Sequence, residues 1–513
     1  MNIAHHVERG HRLYPNKTAI VYEDKSYTYR QLDRLVNCTA NALRGLGIVK
    51  GDRVALFLPN IPEFAIAYLG ILKIGAIAVS LNVMLKSAEV SYILNDCAAK
   101  AIVTTESGRL QLTEADLPYL QHILIAEGVV NNDIDFADLI SNASPITRAM
   151  EMEWNSPASI VYTSGTTGFP KGATLSHGNI ISNISAHNRC CEMSRTDRLL
   201  LYVPLFHCFG QNAILNAGLN VCATIILQRR FDLDQVLESI EKYQATMFFG
   251  VPTVFIRLLN QDTSKYNFNS LRYYFSAAAP MPVEIAKSWQ DKYKKVIHEG
   301  YGLTEASPCA SYNHNLKYKF GSIGVPITNV QMRIVDANGC QVSTGELGEI
   351  VIKGSNVMLG YWNRPQETQK VIKNGWLHSG DIGRMDEEGF FYIADRLKDM
   401  INVCGFKVYP TEVENVIYKH HAVAEVAIYG LPDPIKGEIV KANIVVKNGH
   451  KITEKEVLEF CSQQIANYKI PQTIKFVNSL PKNPTGKVIK RFLRDEEFTS
   501  TSNKFLSFPT QLR

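Results

Sequence analysis

Eleven consecutive residues, Tyr162-Thr163-Ser164-Gly165-Thr166-Thr167-Gly168-Phe169-Pro170-Lys171-Gly172, gather hydroxyls, glycines and one lysine between two apolar runs. Such a stretch offers many backbone N–H and hydroxyl donors with few side chains in the way. Those are the donors that a polyphosphate needs, and Lys171 adds a point charge. The glycines let the backbone turn and approach a ligand closely. The nucleotide P-loop pattern would require glycine before the lysine and Ser or Thr after it; here Pro170 precedes Lys171 and Gly172 follows. The plain alternative is a flexible surface loop.

A second group is Glu299-Gly300-Tyr301-Gly302-Leu303-Thr304-Glu305. An aromatic, two glycines and a carboxylate can stack an adenine, approach a phosphate and hold Mg²⁺ through Glu305; alone, the group is also an ordinary turn with a chance carboxylate. A third comprises His378-Ser379-Gly380-Asp381 and Asp395-Arg396-Leu397-Lys398-Asp399. A carboxylate can accept both hydroxyls of a ribose and an arginine can donate to ribose or phosphate, although single Asp and Arg residues commonly form surface ion pairs. The fourth is Pro481-Lys482-Asn483-Pro484-Thr485-Gly486-Lys487, a lysine on a Pro/Gly turn, which without context reads as solvated.

In this order these motifs resemble those of the adenylate-forming enzymes, the family of acyl-CoA synthetases, aryl-CoA ligases, firefly luciferase and the adenylation domains of peptide synthetases. The resemblance covers roughly residues 15–490. It implies that Thr163, Ser164, Gly165, Thr166, Thr167, Gly168 and Lys171 bind the phosphates of ATP, and that Mg²⁺ meets Glu305 and Thr163. Ala278, Ala279 and Pro280, in a stretch where the family usually has Ser-Gly-Gly-Ala-Pro, form an adenine wall with Glu299, Gly300, Tyr301 and Gly302. Thr304 touches the α-phosphate, Asp381 binds the ribose with help from Arg396, and Lys487 reaches the carboxylate and the α-phosphate. Lys398 is the hinge of a small mobile domain, Gly405 lines the pantetheine path, and His207 gates the acyl pocket. A lone histidine is more often a satisfied core residue, and Cys404 has no catalytic reading.

The stretch Phe206-His207-Cys208-Phe209-Gly210-Gln211-Asn212 carries no acid, which disfavours an α-amino acid substrate. Phe206, Phe209, Phe248, Phe249, Val251 and Met281 are candidates for an apolar lining. The expectation is an AMP-forming acid–thiol ligase that uses ATP, Mg²⁺ and coenzyme A on a medium- or long-chain fatty acid. Its alternatives are a fatty acyl-AMP ligase that loads an acyl carrier protein and a 4-coumarate-like aryl-CoA ligase. A non-catalytic relative is a different class, but Lys171, Glu305 and Lys487 are all present.

The elements that must hold these residues fit a chain of 513 residues, too long for one ordinary core. Apolar runs such as 54–58 and 101–104 alternate with helical patterns such as 30–46, which predicts parallel α/β sheets. Between 322 and 395 the strands turn short and Gly-punctuated, predicting an antiparallel sheet or small barrel. A compact α+β tail follows. The expected division is 1–396 and 397–513, with the hinge near 396–399. Residues 106–154 give little signal, and 495–513 read as frayed. Hydrophobic content of 46%, charged content of 20% and a net charge of +5 give no reason to expect nucleic-acid binding. Ten scattered cysteines without paired C-x-x-C spacing fit a reducing compartment and not a zinc site. Residues 1–9 show no signal-peptide pattern and no stretch reads as a membrane span, so the expected place is the cytoplasm, with room for peripheral membrane contact. Monomer and homodimer both remain open.

Overall fold

Val54, Ala55 and Leu56, an apolar run with no alternation, lie in the strand Arg53–Phe57, whose residues 54–57 are buried on both faces. Such runs suit a parallel sheet covered by helices. In the computed structural model, which describes residues 1–505 apart from 113–116, 130–131, 164–169, 315–316 and 485 and without the side chains of 398 and 498–505, this strand pairs in parallel with Ile77–Ser80 and Ala101–Thr105. Ile77–Ser80 pairs in turn with Pro157–Thr163. The sheet has eight described strands. Its parallel run ends at Pro157–Thr163, which turns back antiparallel into Lys171–Ser176, with Thr163 opposite Lys171. The residues between, 164–169, lie outside the described residues. The candidate phosphate loop therefore joins a hairpin, not a strand to a helix.

A second sheet, of nine described strands, carries six parallel neighbours: Thr18–Tyr22, Thr224–Leu227, Arg198–Leu201, Met247–Gly250, Tyr273–Ser276 and His298–Gly302. The helices between strands begin at side-chain caps. Thr28 accepts from the Gln31 N–H ahead of Tyr29–Gly45, and Ser176 from the Asn179 N–H ahead of His177–Cys190; such caps contribute about 1 kcal/mol each. The helix Pro62–Lys73 is almost wholly buried, and Lys73 is tolerated there because its ammonium meets Glu8 at 2.8 Å and Asp33 at 3.1 Å.

The expected antiparallel sheet is present as five strands between Val330 and Arg396. One apolar core runs through these three sheets. A separate core, beginning at Ile401 and built around Val413, Ile428, Val440 and Ile444, belongs to the C-terminal unit. That unit stacks Pro410–Ile417 and Glu454–Ser462 against a five-stranded sheet. Two expectations change. The 106–154 stretch holds a real strand, His122–Glu127, paired in parallel with Ala101–Thr105 on one side and with Ile134–Asp135 on the other. The tail read as frayed from 495 is helical as Lys490–Phe505, held by Leu493 in a small cluster with Tyr429 and Leu480 and by ion pairs from Glu497 to Lys441 and Arg494 to Asp399; 506–513 lie outside the described residues.

Candidate active site

The carboxyl ends of the six parallel strands point one way, and Gly250, Ser276 and Gly302 open there into loops. This is where open α/β sheets bind ligands. His298–Gly302 leads into a one-turn 3₁₀ segment, Thr304–Ala306. Its two glycines are required by packing: a Cβ on Gly300 would lie 2.2 Å from the Phe275 ring, and one on Gly302 would lie 1.7 Å from the Pro308 carbonyl oxygen.

The turn brings Glu305, nearly buried, to two hydroxyls that share one of its oxygens. Tyr361 donates to Oε1 at 2.8 Å, and Thr163 at 3.4 Å. Lys171 forms an ion pair with Glu367 and lies over the Tyr361 ring at 5.5 Å. Hydrogen bonds from Lys171 and Lys370 hold the Glu367 carboxyl at about 2, well below the usual range. Thr163, Lys171 and Glu305 thus converge around Tyr361, while Ser164, Gly165, Thr166, Thr167 and Gly168 lie outside the described residues.

On the other side, Tyr301 donates to Asp381 Oδ2 at 2.7 Å and Arg396 Nε meets Asp381 Oδ1 at 3.2 Å. Asp381 and Arg396 face each other across two antiparallel strands, which fixes the pair. Each carboxylate oxygen keeps a lone pair for a further donor, so the group can still accept from a diol. Behind Tyr301, burial pushes the Glu299 carboxyl up to about 8, partly offset by the Met281 N–H, and its Oε1 has no partner. Glu299 is then largely protonated at neutral pH. The loop carrying Ala278, Ala279 and Pro280 follows Tyr273–Ser276, and Ala278 has φ of 70°.

The C-terminal unit completes the group. Gly486, with φ of 82°, gives its carbonyl to the Thr253 hydroxyl at 3.2 Å, and a Cβ there would meet Val251 Cγ2 at 2.8 Å. The turn is closed from within: Asn483 Oδ1 accepts from the Lys487 N–H at 2.8 Å. His207 is a half-buried ring that burial and the Lys487 charge together push down to about 4. Cys208, next along, is buried, which raises its thiol to about 12. Lys398 sits in the 3₁₀ turn Leu397–Asp399 between the two cores. Gly405 stands apart, at an exposed hairpin tip where a Cβ would meet nothing within 4 Å.

Comparison with known proteins bears on this geometry. The model of the AMP-binding enzymes matches residues 7–362, and that of the AMP-binding enzyme C-terminal domain matches 412–487. A long-chain-fatty-acid–CoA ligase of Escherichia coli O6:H1 is 37% identical over 96% of this chain and 94% of its own. A feruloyl-CoA synthase of an Amycolatopsis species is 35% identical over 95% and 97%. The crystal structure of an anthranilate CoA ligase with anthranoyl-AMP superposes with a TM-score of 0.93 at 30% identity, over 98% of both chains. The chain belongs to the adenylate-forming, AMP-binding enzymes. It is an AMP-forming acid–thiol ligase.

In this adenylate-forming enzyme the apolar candidates do not all share one wall. On the strand Met247–Gly250 side chains alternate. Phe249 faces His187 and Phe275, which also meets Phe209, whereas Phe248 faces Phe255, Tyr202 and Tyr274 on the opposite side. Phe248 is therefore core to the helix layer and cannot line a tunnel with Phe249. Phe209–Asn216 is a π-helix whose polar face is buried: Gln211 donates to Ser80 at 2.8 Å and Asn216 to Tyr68 at 2.9 Å. Sequence reading missed Tyr361 and Glu367, the immediate partners of Glu305 and Lys171. The available signal was Gly360-Tyr361-Trp362, an aromatic pair that forms a short strand against Lys171–Ser176.

Proposed function

We propose that this enzyme joins a medium- or long-chain fatty acid to coenzyme A through an acyl-adenylate, consuming ATP and releasing AMP and pyrophosphate. The observation that carries this reading is the docking of the Gly486–Lys487 turn on Thr253, from where the Lys487 charge acts on His207. A carboxylate oxygen of the acid attacks the α-phosphorus, the bond to the bridging β-phosphate oxygen breaks, and pyrophosphate leaves. Lys487 and the Thr304 hydroxyl meet the charge that builds on the α-phosphoryl oxygens. Lys171 and residues 163–168 hold the β- and γ-phosphates, Lys171 exchanging Glu367 for phosphate oxygen. Asp381 accepts the ribose hydroxyls with Arg396 beside it, and Tyr301 with residues 278–280 bounds the adenine.

Glu305 and Thr163 would hold Mg²⁺; both are hard oxygen donors, as that ion requires. Among the described residues no three His, Cys, Asp or Glu side chains gather as a metal site, so the remaining ligands would be phosphate oxygens and water. When bound, the ion neutralises charge on the phosphates. For the second half-reaction the unit 397–513 turns about 396–399, carrying Lys487 away and bringing Gly405 toward the thiol path. The sulfur then attacks the acyl carbonyl and AMP departs.

The buried aromatic wall of Phe209, Phe249 and Phe275 and the names of the fatty-acid relatives support an apolar acyl group. The same rings, with the relatives that act on aryl acids, support an aromatic acid as the second reading. No described helix is long and apolar enough to cross a membrane; we place the enzyme in the cytoplasm, with peripheral membrane contact allowed. The test is pyrophosphate release from ATP with acids from acetate to oleate and cinnamates, with and without coenzyme A. Turnover that requires coenzyme A and peaks on one acid class is the expected result. A single burst that coenzyme A cannot relieve would point to a carrier-protein acceptor, and no release with any acid would refute the reading.

A further inference from the structure

Three parallel neighbours of the nine-stranded sheet, Thr18–Tyr22, Thr224–Leu227 and Arg198–Leu201, border a cavity of about 650 Å³ with their amino ends. Parallel strands put all amino ends on one edge, so this cavity lies across the sheet from the loops after Gly250, Ser276 and Gly302. Its volume falls in the range of small-molecule pockets, roughly 300–1,000 Å³.

Lys17, Arg195 and Arg198 line it, and each is held by a neutral partner. Lys17 Nζ donates to Thr224 Oγ1 at 2.9 Å. Arg195 donates to the Tyr14 hydroxyl at 3.0 Å and lies over that ring at 5.5 Å. Arg198 Nε donates to the Gln244 carbonyl at 2.8 Å. No carboxylate lines the cavity, and among the described residues none forms an ion pair with any of the three. The neighbouring acid, Asp197, is already taken by Arg272, which donates to both its oxygens at 2.8 and 2.9 Å, and by Thr246 at 2.8 Å. Burial lowers the Lys17 pKa and the charge of Arg198 lowers it further, against the opposing pull of Cys222 and Asp197; a bound anion would relieve both costs. The rest of the wall is mostly uncharged surface, with Ile226 buried and the Tyr14 and Tyr243 rings at the sides.

We propose that this cavity is a second ligand site that takes a phosphate ester, with the phosphoryl oxygens on Lys17, Arg195 and Arg198 and the uncharged body against Tyr14, Tyr243 and Ile226. Three cations lining one cavity call for more than one negative charge, which a phosphomonoester supplies at neutral pH. Two guanidinium forks match its oxygens. The inference is independent of the acid and acceptor proposed above.

The test uses the full chain with its active site saturated by a non-hydrolysable acyl-adenylate analogue. Binding of phenyl phosphate, inorganic phosphate and phosphatidic acid vesicles is measured by calorimetry and co-sedimentation, in the wild type and in Arg195→Gln/Arg198→Gln. The expected result is one remaining site per chain for phenyl phosphate, weakened at least tenfold in the double variant and unchanged in Lys487→Ala. Binding of the vesicles alone, lost in the same variant, would uphold the site and identify its ester as a lipid headgroup. Absence of binding to either, binding that the double variant leaves intact, or inorganic phosphate bound as tightly as the ester would overturn it.

Discussion

Glu299 is a carboxyl group that the fold keeps out of water, and its chemistry follows from that alone. Its pKa rises from near 4.5 to about 8. Between those values the folded state holds one more proton than the unfolded chain, so stability falls as pH rises, by up to about 1.4 kcal/mol per unit. Glu299→Gln should remove that slope, seen as a urea midpoint that no longer drops between pH 5 and 8; an unchanged slope would mean that the group titrates normally. Lys487 makes a different kind of contribution. Lys487→Ala should lower pyrophosphate release by at least about 10²-fold, as loss of a charge aimed at the transition state does, while ATP binding by the ground state changes little. Equal losses in both would assign the lysine to binding alone. At this scale the sequence spoke through spacing: Tyr301, Asp381 and Arg396, marked by separate motifs, meet in one hydrogen-bonded group. Tyr361 and Glu367 were not marked, because a tyrosine and a glutamate on a surface strand and helix look ordinary until folding brings Glu367 to a lysine 196 positions away.

Elements decide which of those residues point where. The Gly486 turn is a joint between two cores, and both its positive φ and its 2.8 Å clearance to Val251 forbid a side chain. Gly486→Ala should cost roughly 1–2 kcal/mol of docking through the left-handed backbone, or about a tenfold loss of adenylate formation, without lowering the melting temperature of the large core. A fall in melting temperature with adenylation intact would place the strain elsewhere. Apolar runs revealed the parallel strands, because that signal is local. What alternation does to Phe248 and Phe249 was also local, yet a run of buried residues gives no phase from which to read it. The π-helix Phe209–Asn216 and the strand His122–Glu127 depend on neighbours from other segments: Tyr68 and Ser80 for the first, Ala101–Thr105 for the second.

For the whole molecule, the proposed mechanism asks one site to serve two reactions and assigns the docked C-terminal unit to the first. In this arrangement Gly405 lies at an exposed hairpin tip. The turn Leu397–Asp399 is the short link between the strand Phe391–Arg396, paired to Asp381 in the large unit, and Ile401, the first residue of the small core. Rotation there must break the Thr253–Gly486 contact and the bond from the Thr411 N–H to Asp395 Oδ2, 2.8 Å across the link. Neither is strong enough to hold the unit against ligand binding, since a single hydrogen bond contributes only about 0.5–1.5 kcal/mol, or up to about 3 when it meets a charge. Stiffening the link separates the two steps. Proline at 398 fixes φ near the value that a 3₁₀ turn already uses and resists a change there, so Lys398→Pro should still form adenylate in a single burst but lose at least about 10²-fold in thioester formation. The two rates are read separately, as pyrophosphate release without coenzyme A and as acyl-CoA with it. A variant that loses both equally would show that the link positions Lys487 and does not serve as the pivot, and one that keeps both would move the pivot out of 396–399 altogether.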